Sequence, residues 1–167
     1  MKKVSTILLL MLLPINFLFQ GCNISNEEII KPPNKIVVYY DGAPIEVSKD
    51  DKIFKEIVDL TNRRIDKDEI STVKDIVSEN YVDSLKTKKL SLEFLYDDEQ
   101  EMNLTGDGFM PMKYTKLFFL LVSSENLDIS NYFQYGTSKN GYTNSSRGPL
   151  KESIELIELI MNQVVNK

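Results

Sequence analysis

Residues 36–47 read IVVYYDGAPIEV, two short apolar runs joined by Asp41-Gly42. The β-branched and aromatic residues of the first run favour a β-strand. Asp-Gly between two such runs is a strong hairpin signal, because a type I′ turn needs two residues with positive φ. Pro44 cannot donate a hydrogen bond to a neighbouring strand, so we expect the second strand at a sheet edge. The stretch predicts an antiparallel sheet.

Segments further along the chain extend this sheet. Residues 97–100 (DDEQ) predict a turn between two strands, and Asn140-Gly141 predicts a second hairpin. Residues 117–122 (LFFLLV) are continuously apolar, which is typical of a central strand buried on both faces. The predicted strands are residues 90–96, 101–104, 117–122, 132–135 and 142–143.

Apolar residues at helical spacing predict three helices. The first begins after residues 48–51, the second spans residues 68–85, and the third spans residues 150–165 with Gly148-Pro149 at its start. Together with the strands they indicate an α+β fold, with an antiparallel sheet of about five or six strands packed against two or three helices. We expect one such domain over residues 36–167.

The composition excludes several kinds of chemistry. The 167 residues carry 25 acidic and 20 basic side chains, no His and one Cys. Without His there is no Ser-His-Asp triad or imidazole zinc site, and one Cys allows no internal disulfide or iron–sulfur cluster. The net charge of -5 argues against a nucleic-acid partner, which requires a basic face. We therefore expect no cofactor and no nucleic acid.

The first 22 residues have the pattern of an export signal. Lys2 and Lys3 precede an apolar run over residues 4–19, and Gly21-Cys22 follows where the apolar character stops. This segment resembles the signal of a bacterial lipoprotein. The resemblance implies that residues 1–21 are removed and that Cys22 carries a lipid anchoring the protein to the extracytoplasmic face of the membrane. Residues 22–35, with two adjacent prolines, would be a flexible tether.

Other interpretations of the same segment stay open. As an uncleaved helix, the 16 apolar residues span roughly 24 Å, less than the roughly 30 Å hydrocarbon core. As an ordinary secretion signal, the segment would leave Cys22 as a free thiol near an exposed terminus. The lipoprotein-like start and the composition rich in Lys, Asn and Ile resemble small lipoproteins of low-GC Gram-positive bacteria, a resemblance that implies no particular activity.

The loop over residues 105–114 is a candidate partner contact. It carries Phe109 and Met110 between Gly108 and Pro111, and Met112 directly after Pro111. Soft apolar side chains exposed on a loop suit binding to another protein. Burial of the same side chains as a small satellite of the core is the alternative.

Ser145, Ser146 and Arg147 form a candidate anion site. They precede the predicted third helix, where hydroxyls, a guanidinium and free amides could hold an anion. An ordinary loop and helix cap would use the same residue types. Ser71 and Lys74 have the S-x-x-K spacing of acyl-enzymes, but about one such match is expected by chance. Acidic clusters at residues 66–69 and 97–101 lack the spacing of a calcium loop, so we expect no metal site.

The sequence thus predicts a membrane-anchored extracytoplasmic lipoprotein. We expect a non-enzymatic binding or accessory role at the cell envelope, with an envelope protein as partner. The alternative is a sensor domain that binds a small solute or an ion.

Overall fold

The structure is a computed structural model that describes residues 28–74, 79–88, 90–104, 106–122 and 128–167. Within these ranges, seven strands form one antiparallel sheet in the order β2-β1-β4-β5-β6-β7-β3. The strands are β1 (Lys35–Tyr40), β2 (Ala43–Val47), β3 (Ser71–Lys74), β4 (Leu90–Met102), β5 (Met112–Val122), β6 (Phe133–Thr137) and β7 (Gly141–Gly148). The helices are α1 (Lys52–Arg63), α2 (Glu79–Lys86) and α3 (Ile154–Ile160), with a 3₁₀ turn at Asp128–Asn131 and a π-helical turn at Met161–Val165.

Both predicted hairpins are confirmed. Asp41 and Gly42 have φ of 47° and 85°, and Tyr40 pairs with Ala43, as a two-residue turn requires. β2 lies at one edge of the sheet, as expected for a strand that contains Pro44. Gly141 also has positive φ and closes the β6–β7 hairpin.

The two faces of the sheet bury different sets of side chains. One face carries the main core, in which α1 and α3 cover alternating residues of the central strands; its members include Ile36, Val38, Leu92, Phe94, Leu117 and Phe119. On the other face, Val82 and Leu85 of α2 pack against Phe118, Leu120 and Tyr142. The prediction that residues 117–122 are buried on both faces is confirmed.

The α+β class and the antiparallel sheet are confirmed, but the sheet has more strands than predicted. Residues 97–100 do not form a turn. Leu95 pairs with Lys116 and Gln100 pairs with Tyr114, so the four residues 96–99 of β4 lie opposite the single residue Thr115 of β5. Residues 97–99 bulge out with exposed side chains, Tyr96 stays buried, and the strand continues to Met102.

β3 supplies the additional strand, at the second edge of the sheet. The predicted helix over residues 68–85 is wrong at its start, because Ser71–Lys74 pairs with β7; among the described residues of this span, the helix is Glu79–Lys86. Thr72 and Val73 are β-branched, which favours a strand once a partner edge is available. Long-range pairing here overrides the helical spacing of the apolar residues.

The third helix begins later than predicted. The Leu150 amide donates to the Asn131 carbonyl (2.7 Å), and the Lys151 amide donates to the Arg64 carbonyl (2.8 Å). Leu150 also forms an isolated bridge with Ile65. These contacts hold the segment after β7 extended, so Pro149 does not open a helix and α3 starts at Ile154.

The folded domain begins before residue 36. Ile30 is fully buried, and its amide and carbonyl form hydrogen bonds with the Asn62 side chain (2.7 and 2.8 Å). The Tyr96 hydroxyl donates to the Lys31 carbonyl (2.9 Å). The prediction of a flexible tether over residues 22–35 is therefore wrong from Ile30 onward. Cys22 and the export-like segment lie outside the described residues.

Candidate functional site

The loop between β4 and β5 is held against the edge strand β3. The Thr72 amide donates to the Gly108 carbonyl (3.3 Å), and the Met110 amide donates to the Thr72 hydroxyl oxygen (2.8 Å). Gly108 has a φ of 77°, a conformation that L side chains rarely adopt. We call residues 106–111 the capping loop, because it lies over the end of β7.

The three residues predicted as one contact surface differ in exposure. Phe109 and Met112 belong to the main core, whereas Met110 is 53% exposed. The prediction is wrong for Phe109 and Met112, because β5 begins at Met112 and its pairing with Met102 places it in the sheet. Of these three residues, Met110 alone offers a large exposed apolar side chain to a partner.

The prediction of an anion site at Ser145, Ser146 and Arg147 is also wrong, because these residues do not form a loop at the start of a helix. The three residues lie in β7, where successive side chains point to opposite faces of the sheet. Ser146 is fully buried and its hydroxyl accepts a hydrogen bond from the Gln134 side chain (3.2 Å). Arg147 is 1% exposed, so the three side chains do not converge on solvent.

The structure instead brings Arg147 together with the capping loop. Arg147 Nη2 donates to the Met110 carbonyl (2.9 Å), and its Cζ lies 5.2 Å from the centroid of the Phe109 ring. The Tyr135 ring lies 4.8 Å from the same Cζ, and its hydroxyl is 3.5 Å from Nη2. Residues from two separately predicted sites therefore form one cluster of a guanidinium, two aromatic rings and Met110.

The charge of Arg147 has no acidic partner among the described residues. Its Nη1 donates to the Ser146 carbonyl (3.1 Å), and its Nε has no hydrogen-bond partner in the described parts of the chain. Burial lowers the pKa of Arg147, and the Tyr135 phenol opposes that change. Burying an unpaired cation costs several kcal/mol, which the contacts with two ring faces offset in part.

Arg64 is a second buried arginine and provides a comparison. It is 3% exposed, and its Nε and Nη2 donate to the carbonyls of Lys151 (3.0 Å) and Ser130 (2.8 Å). Burial lowers the pKa of Arg64 to about 10. No aromatic ring contact with Arg64 is found in the described parts of the chain. Its contacts join the end of α1 to two other segments, which is a structural role.

A buried carboxylate on the opposite face of the sheet was missed by sequence reasoning. Glu93 is 4% exposed and accepts hydrogen bonds from Tyr39 (2.7 Å), Lys86 (2.9 Å) and Tyr142 (2.5 Å). We call these four residues the Glu93 cluster. Lys116 Nζ lies 4.4 Å from the Tyr142 ring centroid beside it. The cluster connects α2 to three strands.

The hydrogen bonds decide the charge state of the Glu93 cluster. Burial alone would raise the pKa of Glu93, but the bonds from Tyr142, Tyr39 and Lys86 outweigh burial and hold that pKa below its usual value. Burial and the Glu93 carboxylate raise the pKa of both tyrosines. Glu93 is therefore an anion, and each of its oxygens accepts at least one hydrogen bond.

The remaining polar motifs form no site in the described residues. Ser71 and Lys74 lie three positions apart on a strand, so their side chains point to opposite faces. Asp66 accepts a hydrogen bond from the Asp68 amide and pairs with Lys151 (3.0 Å). No group of three or more potential metal ligands occurs in the ranges that the structure describes.

Comparisons of the chain with protein-family models, with curated proteins and with solved structures find no match. In the ranges given above, no helix combines the length and the apolar character needed to cross a bilayer. The function proposed below therefore rests on the sequence pattern, side-chain contacts and exposure of this chain alone.

Proposed function

We propose that the chain is an exported lipoprotein, attached to the extracytoplasmic face of the cell membrane by a lipid on Cys22, with a non-enzymatic binding or accessory role. The pattern of Lys2, Lys3, the apolar run and Gly21-Cys22 supports the anchor. Ile29 and Ile30 pack on the main core, which leaves six residues, 23–28, between the lipid and the domain. At about 3.5 Å per residue they reach at most about 21 Å, which keeps the domain close to the membrane.

The charge of the mature chain affects how the domain lies at the membrane. Removal of residues 1–21 takes away Lys2 and Lys3 and no acid, so 18 basic and 25 acidic residues remain and the formal charge becomes -7. Anionic lipid headgroups repel such a domain within about one Debye length, roughly 8 Å at physiological salt. The domain is therefore expected to stand off the bilayer on its tether and to present its surfaces to other envelope molecules.

The anchor is tested by substituting the cysteine. Cys22→Ser is expected to move the protein from the membrane fraction to the soluble exported fraction, because a serine hydroxyl does not accept the lipid. Fractionation and metabolic labelling with a radioactive fatty acid measure both effects. The double variant Cys22→Ser/Ser25→Cys is the control, since it restores a thiol away from Gly21 and should also be unlabelled. Wild-type membrane association of Cys22→Ser would refute the anchor.

The exposure of Met110 is the observation that carries the binding role. Its side chain is 53% exposed, while its own amide and carbonyl are held by Thr72 (2.8 Å) and Arg147 (2.9 Å). A flexible, polarizable thioether on an ordered backbone suits contact with a protein surface. We therefore propose Met110 as the centre of the partner contact, in place of the wider surface predicted from the sequence.

In-cell crosslinking of the full-length protein tests this contact. One abundant envelope protein should become attached to the wild type, and Met110→Ser should reduce its yield about tenfold, as a loss of about 1.4 kcal/mol predicts. Ile154→Ser is the matched control, because Ile154 is a large apolar residue that is 59% exposed elsewhere on the surface. Equal yields from the two variants would contradict a contact at Met110.

A second candidate function is binding of a small solute or an ion, as in a sensor domain. The unpartnered Nε of Arg147, buried beneath the capping loop with no acidic partner among the described residues, favours it. A sensor of this kind would be stabilised by its ligand, whereas a purely accessory domain would not.

A further inference from the structure

We propose that Arg147 binds the carboxylate of a small organic acid in the position that the Met110 carbonyl occupies. This inference rests on the second candidate function and does not require the lipid anchor or a protein partner. It assigns a ligand class to the cluster formed by Arg147, Phe109, Tyr135 and the capping loop.

The hydrogen bonds of the guanidinium leave one edge incompletely used. Nε and Nη2 share that edge. Nη2 donates to the Met110 carbonyl at 2.9 Å and approaches the Tyr135 hydroxyl at 3.5 Å, while Nε has no partner among the described residues. The edge therefore has one donor that a further acceptor could use. A carboxylate has two oxygens with the spacing of the two N–H groups and binds such an edge in bidentate fashion.

The two aromatic rings restrict what can reach Arg147. The centroids of the Phe109 and Tyr135 rings lie 5.2 and 4.8 Å from Cζ, so two aromatic rings flank the guanidinium. A planar carboxylate fits that edge, and its negative charge would neutralise a cation that has no acidic partner in the described residues. Ring and thioether groups beside the edge favour an acid with a planar apolar body, such as a benzoate-like molecule.

A carboxylate can take this position only if the backbone at Met110 moves, because the Met110 carbonyl accepts the Nη2 hydrogen bond. Met110 is half-exposed, and Gly108, two residues before it, has the positive φ of a turn. The contacts that a ligand must replace are the Met110 carbonyl bond to Arg147 and the Met110 amide bond to the Thr72 hydroxyl. Phe109 is buried in the main core and can stay in place as one wall of the site.

Titration of the full chain in detergent with benzoate tests the proposal by calorimetry and by thermal unfolding. We expect saturable binding that raises the unfolding temperature, weaker binding of acetate, and none of benzamide, which has the same shape without the charge. Arg147→Lys should weaken benzoate binding at least about tenfold, because an ammonium group cannot bind both oxygens in one plane. Arg64→Lys is the matched control and should leave the affinity within about twofold.

A second variant, which is expected to bind benzoate more tightly, keeps the test decisive if Arg147→Lys does not fold. Thr72→Val keeps the shape of the side chain but removes the hydroxyl that holds the Met110 amide, so the capping loop should open more often and benzoate should bind about threefold more tightly. Absence of saturable carboxylate binding, binding of phosphate alone, or unchanged affinity in Arg147→Lys would each overturn the proposal. None of these results would alter the fractionation of Cys22→Ser or the crosslinking through Met110.

Discussion

Replacing Glu93 by alanine is expected to lower the free energy of unfolding by about 3–5 kcal/mol. The substitution removes the shared acceptor of Tyr39, Lys86 and Tyr142, and it leaves the Tyr142 hydroxyl buried without that partner. Each buried hydroxyl that loses its acceptor costs about 1–3 kcal/mol. Lys86 contributes less to the loss, because it keeps Asp83 as a partner at 3.5 Å and is partly exposed. Urea denaturation at pH 7, followed by circular dichroism, measures the change.

Glu46→Ala is the matched control for this substitution. Glu46 is also a strand residue that pairs with a lysine, Lys35, but the two side chains are 60% and 42% exposed. Such surface pairs contribute less than about 1 kcal/mol because water and salt screen them. Equal losses in Glu93→Ala and Glu46→Ala would contradict the role of the Glu93 cluster in holding α2 on the sheet.

The Glu93 effect should also depend on pH. The pKa of Glu93 is lowered in the folded protein, so its contribution is present above the unfolded pKa, about 4.3, and is lost as the pH falls through the lower folded pKa. The stability difference between wild type and Glu93→Ala should therefore shrink below about pH 4. Asp51 and Asp66 also have lowered pKa values, but both remain in the variant and cancel in the difference.

Gly136→Ala is expected to lower the free energy of unfolding by about 3 kcal/mol or more. A methyl group at Gly136 would overlap the carbonyl oxygen of Gly141, which is backbone of the paired strand, and would lie 2.8 Å from Lys116 Cε. The lysine can move aside, but the carbonyl can move only if the β6–β7 hairpin shifts. Thermal unfolding followed by near-UV circular dichroism would report the loss.

Gly42→Ala separates this steric clash from the ordinary cost of replacing glycine. A methyl group at Gly42 would have its nearest neighbour at 3.8 Å, so the substitution carries only the cost of the positive φ, about 1–2 kcal/mol. A loss in Gly136→Ala no larger than that in Gly42→Ala would show that the hairpin relaxes around the new methyl group.

Sequence reasoning succeeded where a feature depends on residues near one another in the chain. Asp41-Gly42 and Asn140-Gly141 correctly predict hairpins, because positive φ at a turn is a local requirement. The apolar spacing of residues 53–60 correctly predicts α1, whose buried residues repeat every three or four positions.

The Glu93 cluster could have been found from one signal in the sequence. The continuous apolar run over residues 117–122 already implied that both faces of its strand are covered. In the neighbouring strand, residues 90–96, apolar residues alternate with Ser91, Glu93 and Leu95, a pattern typical of a half-buried strand that would place Glu93 in solvent. If the central strand is covered on both faces, an adjacent strand is covered near it as well, and a glutamate there needs hydrogen-bond donors.

The predictions that were wrong have a different cause in common. The bulge that replaces the turn at residues 97–100 depends on pairing with β5, and the strand at Ser71–Lys74 depends on the free edge of β7. Spacing along the chain contains no information about either partner. The same holds for Arg147, whose contacts with Phe109 and Met110 join segments 37 or more residues apart.

The sequence by itself determined the α+β class, the antiparallel sheet and the two glycine-containing hairpins, because backbone preferences are properties of short segments. The residue counts by themselves excluded imidazole chemistry and an internal disulfide. Only the tertiary structure decided the seventh strand, the late start of α3, the Glu93 cluster and the meeting of Arg147 with the capping loop. Each of these depends on a partner distant in the chain, and the free energy of the long-range contact outweighs the local preference that the sequence displays.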